Sequence, residues 1–457
     1  MRVLAEASDG MNAPMLSRAD PACRPAPGGE RYVPGQALFW SLQKYVLIAV
    51  AFTSFFPILF RFQEHAVIIF SVLCVVMCGL QKVNPWIKNP VDLPLWLFIA
   101  WVLGTVPFAT DTSYSFAEWK KFVAQVLVFY WALLVLHRRP RVDLPPQILW
   151  STVLAGTVLA LYALMGFVDR GGTWKDRYIR AYAFGSDYNW LSTYMVMTIP
   201  VLGSLAVMAR SQWVRGTQYF ALAITALAQL FSYTRGGWVG HVGQGVALTV
   251  LVGGRRVALV VLGILAMAGA GLLVASQAGL QKDTVDSTTI DTRLTVWGIG
   301  LREVTAHPLT GIGYGNDSFV KKFPQYSPQV QAPIPYRQQV IPAMHNAFLM
   351  VALGSGLPAF VFFVWIFIAL VRRLIPLSET FSSEDAFTLL AGGIGLAVIG
   401  FGVRNVFDYM FMGSLAHVFW LLAAVGVTMT SPAWRRLVTE QEQQVRRETM
   451  PGAQASA

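Results

Sequence analysis

Apolar runs of roughly 17–25 residues follow one another along this chain, each long enough for a helix to cross the ~30 Å hydrocarbon core of a bilayer. About twelve are read, over 38–60, 64–81, 93–109, 116–136, 147–168, 188–209, 217–234, 237–253, 256–276, 344–371, 386–403 and 409–430. The runs are continuous rather than alternating, which points to helices and not to barrel strands. Only 13% of the 457 residues are charged, against about 25% in an ordinary soluble domain. The expected fold is therefore all-α, a polytopic membrane protein. One long hydrophilic interval, Ala278 to Pro342, breaks the pattern.

The expected division is a disordered tail over 1–36, membrane helices one to nine over 37–276, a long external loop over 277–343, helices ten to twelve over 344–431, and a second tail over 432–457. The first tail carries Arg2, Arg18, Arg24 and Arg31 among prolines, without the apolar core of a signal peptide. The second, rich in Gln, Glu and Arg from Arg435 onward, is expected to be equally irregular. Cys74 and Cys78, four residues apart in an apolar run, read as small core residues rather than as a disulfide or zinc framework.

Lysine and arginine set the orientation. Lys82 and Lys88, Arg138, Arg139 and Arg141, Arg210 and Arg215, Arg255 and Arg256, Arg372 and Arg373, and Arg435 and Arg436 fall at alternate junctions. The positive-inside rule makes that side cytoplasmic, with both termini inside and the long loop outside, which in a bacterium means periplasmic. The net charge of +11 is then mostly headgroup anchoring, and no nucleic-acid partner is expected.

The external face nevertheless holds cations. Arg170, Lys175, Arg177 and Arg180 lie before the sixth run, Arg235 sits at a tight turn, Arg293 and Arg302 lie in the long interval, and Arg404 occupies the last external turn. Cations placed against the insertion bias point to an anionic ligand, and guanidinium forks suit a phosphate. Several converging at the membrane surface would suit a lipid-linked pyrophosphate. The competing reading is that some of them pair with Asp169, Asp176, Asp187, Asp291, Asp317 or Asp408. Arg235 has almost no loop around it in which to be solvated.

His345 closes the long interval at the mouth of the tenth run, where an ionisable group is a default functional candidate. A histidine there can take a proton at neutral pH. Against this stands a helix-end histidine bonded to backbone. His241 and His417 lie within runs and read as core residues. Gly311-Ile312-Gly313-Tyr314-Gly315 follows no strand, so it reads as a bend that lets backbone approach a span or ligand. No metal or cofactor is expected, because no DxD motif or convincing carboxylate pair occurs.

These segments together resemble the superfamily of O-antigen ligases and polymerases. Phe231-Ser232-Tyr233-Thr234-Arg235-Gly236-Gly237-Trp238 is similar to its SRGG element, although Tyr233-Thr234 stands where a serine commonly precedes the arginine. Arg293-Leu294-Thr295-Val296-Trp297 and His307-Pro308-Leu309-Thr310-Gly311-Ile312-Gly313-Tyr314-Gly315 resemble its R-x-x-x-W and P-x-x-G-x-G-x-G run. His345-Asn346-Ala347-Phe348-Leu349, with Gly354 and Gly356, matches its H-N ending, and Arg180 to Asn189 is similar to the segment before a middle span.

The resemblance implies a GT-C-like inner-membrane glycosyltransferase of a Gram-negative bacterium, independent of metal. It would move O-antigen from undecaprenyl diphosphate to the lipid A core. His345 would be the base, Arg235 would serve catalysis and binding, and Arg293, Arg180, Arg177 and Asn346 would help hold the diphosphate. The alternatives are a polymerase of carrier-linked repeat units and a lipid-linked glycan transporter. Transfer to protein is disfavoured, since that branch usually carries a large periplasmic C-terminal domain. The single dominant loop favours ligase over polymerase.

Overall fold

The computed structural model describes residues 33–138, 142–173, 179–182, 184, 187–209, 211–252, 287–326, 343–375 and 386–449. Among them every regular element is helical. In chain order they are α1 (Gln36–Thr53), α2 (Phe60–Leu80), α3 (Asp92–Thr105), α4 (Thr112–Arg138), α5 (Leu144–Asp169), α6 (Tyr188–Met208), α7 (Gln212–Phe231), α8 (Arg235–Val252), α9 (Ser287–Ala306), α10 (Asn316–Tyr326), α11 (Ala347–Leu374), α12 (Ala386–Val406), α13 (Gly413–Met429) and α14 (Pro432–Thr449).

Among the described residues, six helices are long and apolar enough to cross a membrane, or seven if the bent pair α13–α14 counts as one. Eleven of the expected runs coincide with helices, while 256–276 lies outside the described residues. Three expectations change. The first run does not reach residue 60: α1 stops at Thr53, because Pro57 pushes Phe56 into extended backbone and starts a new turn, Pro57–Leu59. The long interval is not simply loop, since its described part forms α9 and α10. The C-terminal tail is helical over Pro432–Thr449, and α14 leaves α13 at 61°.

Nearly every side chain of α13 is buried, so this helix is the centre of the bundle. It packs on α4 and α12; α12 also packs on α6 and α8, and α11 lies between α3 and α12. The core is a continuous aromatic field in which Phe411 and Phe419 meet Phe363, Phe367 and Phe401 at 5.0–6.2 Å between ring centroids, and Trp420 meets Phe411 and Phe419 edge-on at 5.1–5.8 Å. Phe62, Ile69, Val72, Val76, Met165 and Val168 point outward instead. An apolar exterior over an apolar core is the surface a lipid-embedded bundle presents.

α11 is broken in its third turn, where Ser355 and Gly356 leave helical geometry, Gly356 at φ +81°. The glycine-rich segment fills the break. Ile312 and Gly313 donate backbone N–H to the carbonyls of Leu353 and Gly354 at 2.9 Å each, and Leu357 N–H donates to Pro308 O at 2.7 Å. The run is thus a backbone splice that satisfies the carbonyls freed by the kink. A Cβ on Gly356 would stand 2.2 Å from Leu309 O. Gly356→Ala should therefore lower the melting temperature in detergent, with a loss of about 1–3 kcal/mol from backbone strain alone. An unchanged melting curve would mean that the splice is not structural.

Candidate active site

The site begins with three short segments that end at the same face of the bundle: residues 343–346 before α11, residues 407–412 between α12 and α13, and the start of α6. Arg372 and Arg373 occupy the last turn of α11, at the far end from His345. His345 has φ +48°, a conformation costing a non-glycine residue roughly 1–2 kcal/mol. Its neighbours enforce it. Trp297 Nε1 donates to Met344 O at 2.8 Å, and Ala347 N–H donates to the backbone carbonyl of Asp408 at 3.2 Å.

Nδ1 of His345 lies 3.0 Å from Oδ1 of Asp408, while the histidine side chain remains 40% exposed. With the carboxylate accepting from Nδ1–H, Nε2 keeps the lone pair that can receive a proton. Tyr409 N–H also donates to Asp408 Oδ1, at 3.0 Å. On the other side of the carboxylate, Arg404 Nη2 donates to Oδ2 at 3.0 Å and to Asn189 Oδ1 at 3.2 Å. Arg404 is 1% exposed. It is therefore the buried counter-ion of this relay, and the expectation that it offers an external cation to a ligand is corrected. Asp408, considered in the sequence only as an arginine partner, is also the group that orients His345.

Burial pushes the Asp408 carboxyl up, but the His345 hydrogen bond and the Arg404 charge outweigh it and bring its pKa down to about 2. A depressed carboxylate stabilises the fold fully above its unfolded value near 3.8. That contribution is lost as pH falls from there towards 2. The wild-type protein should lose melting temperature across this window, and Asp408→Asn should flatten the slope there while lowering the plateau. A slope unchanged by the substitution would count against the pair.

Arg235 is the first residue of α8 and is exposed. The two glycines after it are packing requirements: a Cβ on Gly236 would stand 2.8 Å from Arg404 Nη1, and one on Gly237 would stand 1.9 Å from Ser192 Oγ. Only bare backbone lets α8 start against Arg404 and α6. Arg293 stands one turn from Trp297 on α9, on the same face. The R-x-x-x-W spacing now has a cause: the indole clamps the helix to the histidine segment, and the arginine reaches the site. Arg293 Nε is buried without a partner among the described residues. Burial lowers its pKa, Asp408 raises it, and Arg404 and Arg235 lower it further, so all four groups share one electrostatic neighbourhood.

Arg180 packs its guanidinium 4.4 Å from the Tyr188 ring at the start of α6. Ala181 N–H donates to Phe231 O at 2.9 Å, which ties this segment to the turn before Arg235. Arg177 lies outside the described residues. Asn346 caps α11, its Oδ1 accepting from Leu349 N–H at 2.9 Å, so only its amide N–H groups are left for another partner. His417 is buried against Phe60 and His241 bonds Gln244, as core residues.

Asn189, Asp408 and the structural role of Arg404 were not legible as site residues. A faint signal existed in Arg404 and Asp408, an i, i+4 pair at a helix end.

Residues 220–364 match the family model described as O-antigen ligase. That segment contains Arg235, Arg293, the glycine-rich splice and His345, and it supports assignment of the chain to the O-antigen ligase family. Comparison with curated proteins returns no match.

Proposed function

Taking assignment to the O-antigen ligase family as premise, we propose that this multi-pass membrane protein transfers O-antigen from undecaprenyl diphosphate to the lipid A core. The observation that carries the reading is the His345–Asp408–Arg404 relay, an oriented imidazole whose carboxylate partner shares an electrostatic neighbourhood with Arg293, as Arg235 does. In this reading the acceptor hydroxyl gives its proton to His345 Nε2 as its oxygen attacks the anomeric carbon. The bond from that carbon to the phosphate oxygen breaks on the opposite face, so the anomeric centre inverts. Undecaprenyl diphosphate departs with both electrons of that bond, and Arg235, Arg293 and Arg180 offset the charge that builds on it. Asn346 and Arg177 belong to the same proposed diphosphate shell.

The wider architecture is part of this reading: about twelve spans, a GT-C-like arrangement, both termini cytoplasmic and the relay facing the periplasm. In this reading the transfer needs no metal, because the carrier diphosphate is already a leaving group and guanidinium groups can neutralise it.

The test is complementation of a Gram-negative strain lacking its own O-antigen ligase. Wild-type protein should restore capped lipopolysaccharide on a gel, and Arg235→Ala should cut capping by at least about tenfold at equal membrane abundance. A wild-type protein that restores no capping but alters chain length on the carrier would establish a polymerase instead. If Arg235→Ala caps normally, the diphosphate assignment fails.

A further inference from the structure

Next to the relay in sequence, at Tyr409, the chemistry changes sign. Tyr409 follows Asp408 directly and packs against the small apolar cluster that contains Met344, the neighbour of His345. Its phenol lies in the same electrostatic neighbourhood as Glu118 and Tyr114 of α4, and the Tyr314 phenol shares it. Glycine draws these elements together: a Cβ on Gly315, at φ +108°, would stand 2.6 Å from Glu118 Cγ and 2.9 Å from Tyr114 Oη. Asp317 N–H donates to Tyr114 Oη at 3.1 Å, locking α10 onto the start of α4.

The cluster holds these elements together, yet three of its polar atoms are left over. The Tyr314 ring is fixed edge-on against Phe98 and Phe122 and is 7% exposed. Its hydroxyl, like that of Tyr409, bonds none of the described residues. Glu118 commits Oε1 to Lys121 at 2.5 Å, a pair on an otherwise exposed lysine, which leaves Oε2. Burial raises both the Tyr314 and Tyr409 phenols well above the ordinary range, so they stay neutral donors.

Neutral phenols and the Glu118 carboxylate suit a ligand rich in hydroxyl groups, each able to donate and accept. They do not suit phosphate, which Glu118, Asp111 and Asp317 would repel. The cationic half of the site, Arg235 with Arg293, has the opposite preference. We propose that Tyr114, Glu118, Tyr314 and Tyr409 form a subsite for an uncharged sugar, held so that its hydroxyl meets His345. The proposal rests on the transferase reading above and divides the site into an anion half and a sugar half across the Asp408–Tyr409 peptide.

Binding to the full-length protein in lipid nanodiscs separates the two halves. The probes are undecaprenyl diphosphate and a core oligosaccharide stripped of lipid and phosphate. Glu118→Gln and Tyr409→Phe, each confirmed as folded by its melting curve, should weaken oligosaccharide binding about tenfold. Their diphosphate binding should stay within about twofold of wild type. Arg235→Ala should do the reverse. No loss of oligosaccharide binding in either variant, or equal loss for both probes, overturns the subsite. So does a wild-type protein that binds the diphosphate but not the oligosaccharide. A wild-type protein that binds neither overturns the transferase reading itself, and the subsite with it.

Discussion

Replacing His345 with alanine is expected to lower transfer by about 10²–10⁴-fold, the usual contribution of a positioned general base. The expectation follows from geometry. Asp408 holds the Nδ1 side of the ring at 3.0 Å, the side chain stays 40% exposed, and the backbone is kept at φ +48° by contacts on both sides. A histidine needed only to end a helix would require none of this, and Asn346 already caps α11. The measurement is single-turnover transfer with purified protein and a synthetic carrier-linked donor. The loss should appear in the chemical step, with donor affinity kept, because the arginines proposed to hold the diphosphate remain. Asp408→Asn should fall between His345→Ala and wild type, since the imidazole keeps its place but loses its orienting charge. Transfer by His345→Ala at the wild-type rate would remove the base from the mechanism.

Arg404→Ala is expected to be the most destabilising single substitution at the site, by about 3–5 kcal/mol. Arg404 is 1% exposed and its guanidinium bonds Asp408 and Asn189 while lying against Gly236. Its removal leaves a buried carboxylate without a counter-ion and opens a cavity where α6, α8 and α12 meet. Two readouts separate its role from that of Arg235. Arg404→Ala should melt early in detergent even without substrate, whereas Arg235→Ala, on an exposed side chain, should melt as wild type and fail only in transfer. The double variant Arg404→Ala with Asp408→Ala should recover part of the stability, because no charge is then left unpaired. A melting curve for Arg404→Ala that matches wild type would return Arg404 to the set of ligand-facing cations.

Helix positions were legible where the chain faces lipid, because hydrocarbon demands long uninterrupted apolar stretches. They blurred where proline or glycine reshapes the backbone within an apolar stretch. Pro57 ends the first run early, and Ser355-Gly356 breaks α11 where hydropathy shows one span. The motif residues Arg235 and His345 stood out as polar groups at span mouths, and Arg293 as a cation in the external interval, where charge needs a reason. Asp408 did not, since an aspartate four residues after an arginine reads as a surface pair. Only its burial, and its second face towards His345, reveal the relay.

The order of residues alone determined that this chain lives in a membrane as a helical bundle, because apolar length and the shortage of charge allow little else. It also marked the cations and the histidine that break the insertion pattern. The tertiary structure decided which of those cations stay exposed and which are buried as counter-ions. That division turns on desolvation: Arg235 and Arg404 are the same residue type at the ends of neighbouring helices, and only packing leaves one exposed and the other at 1% exposure beside Asp408.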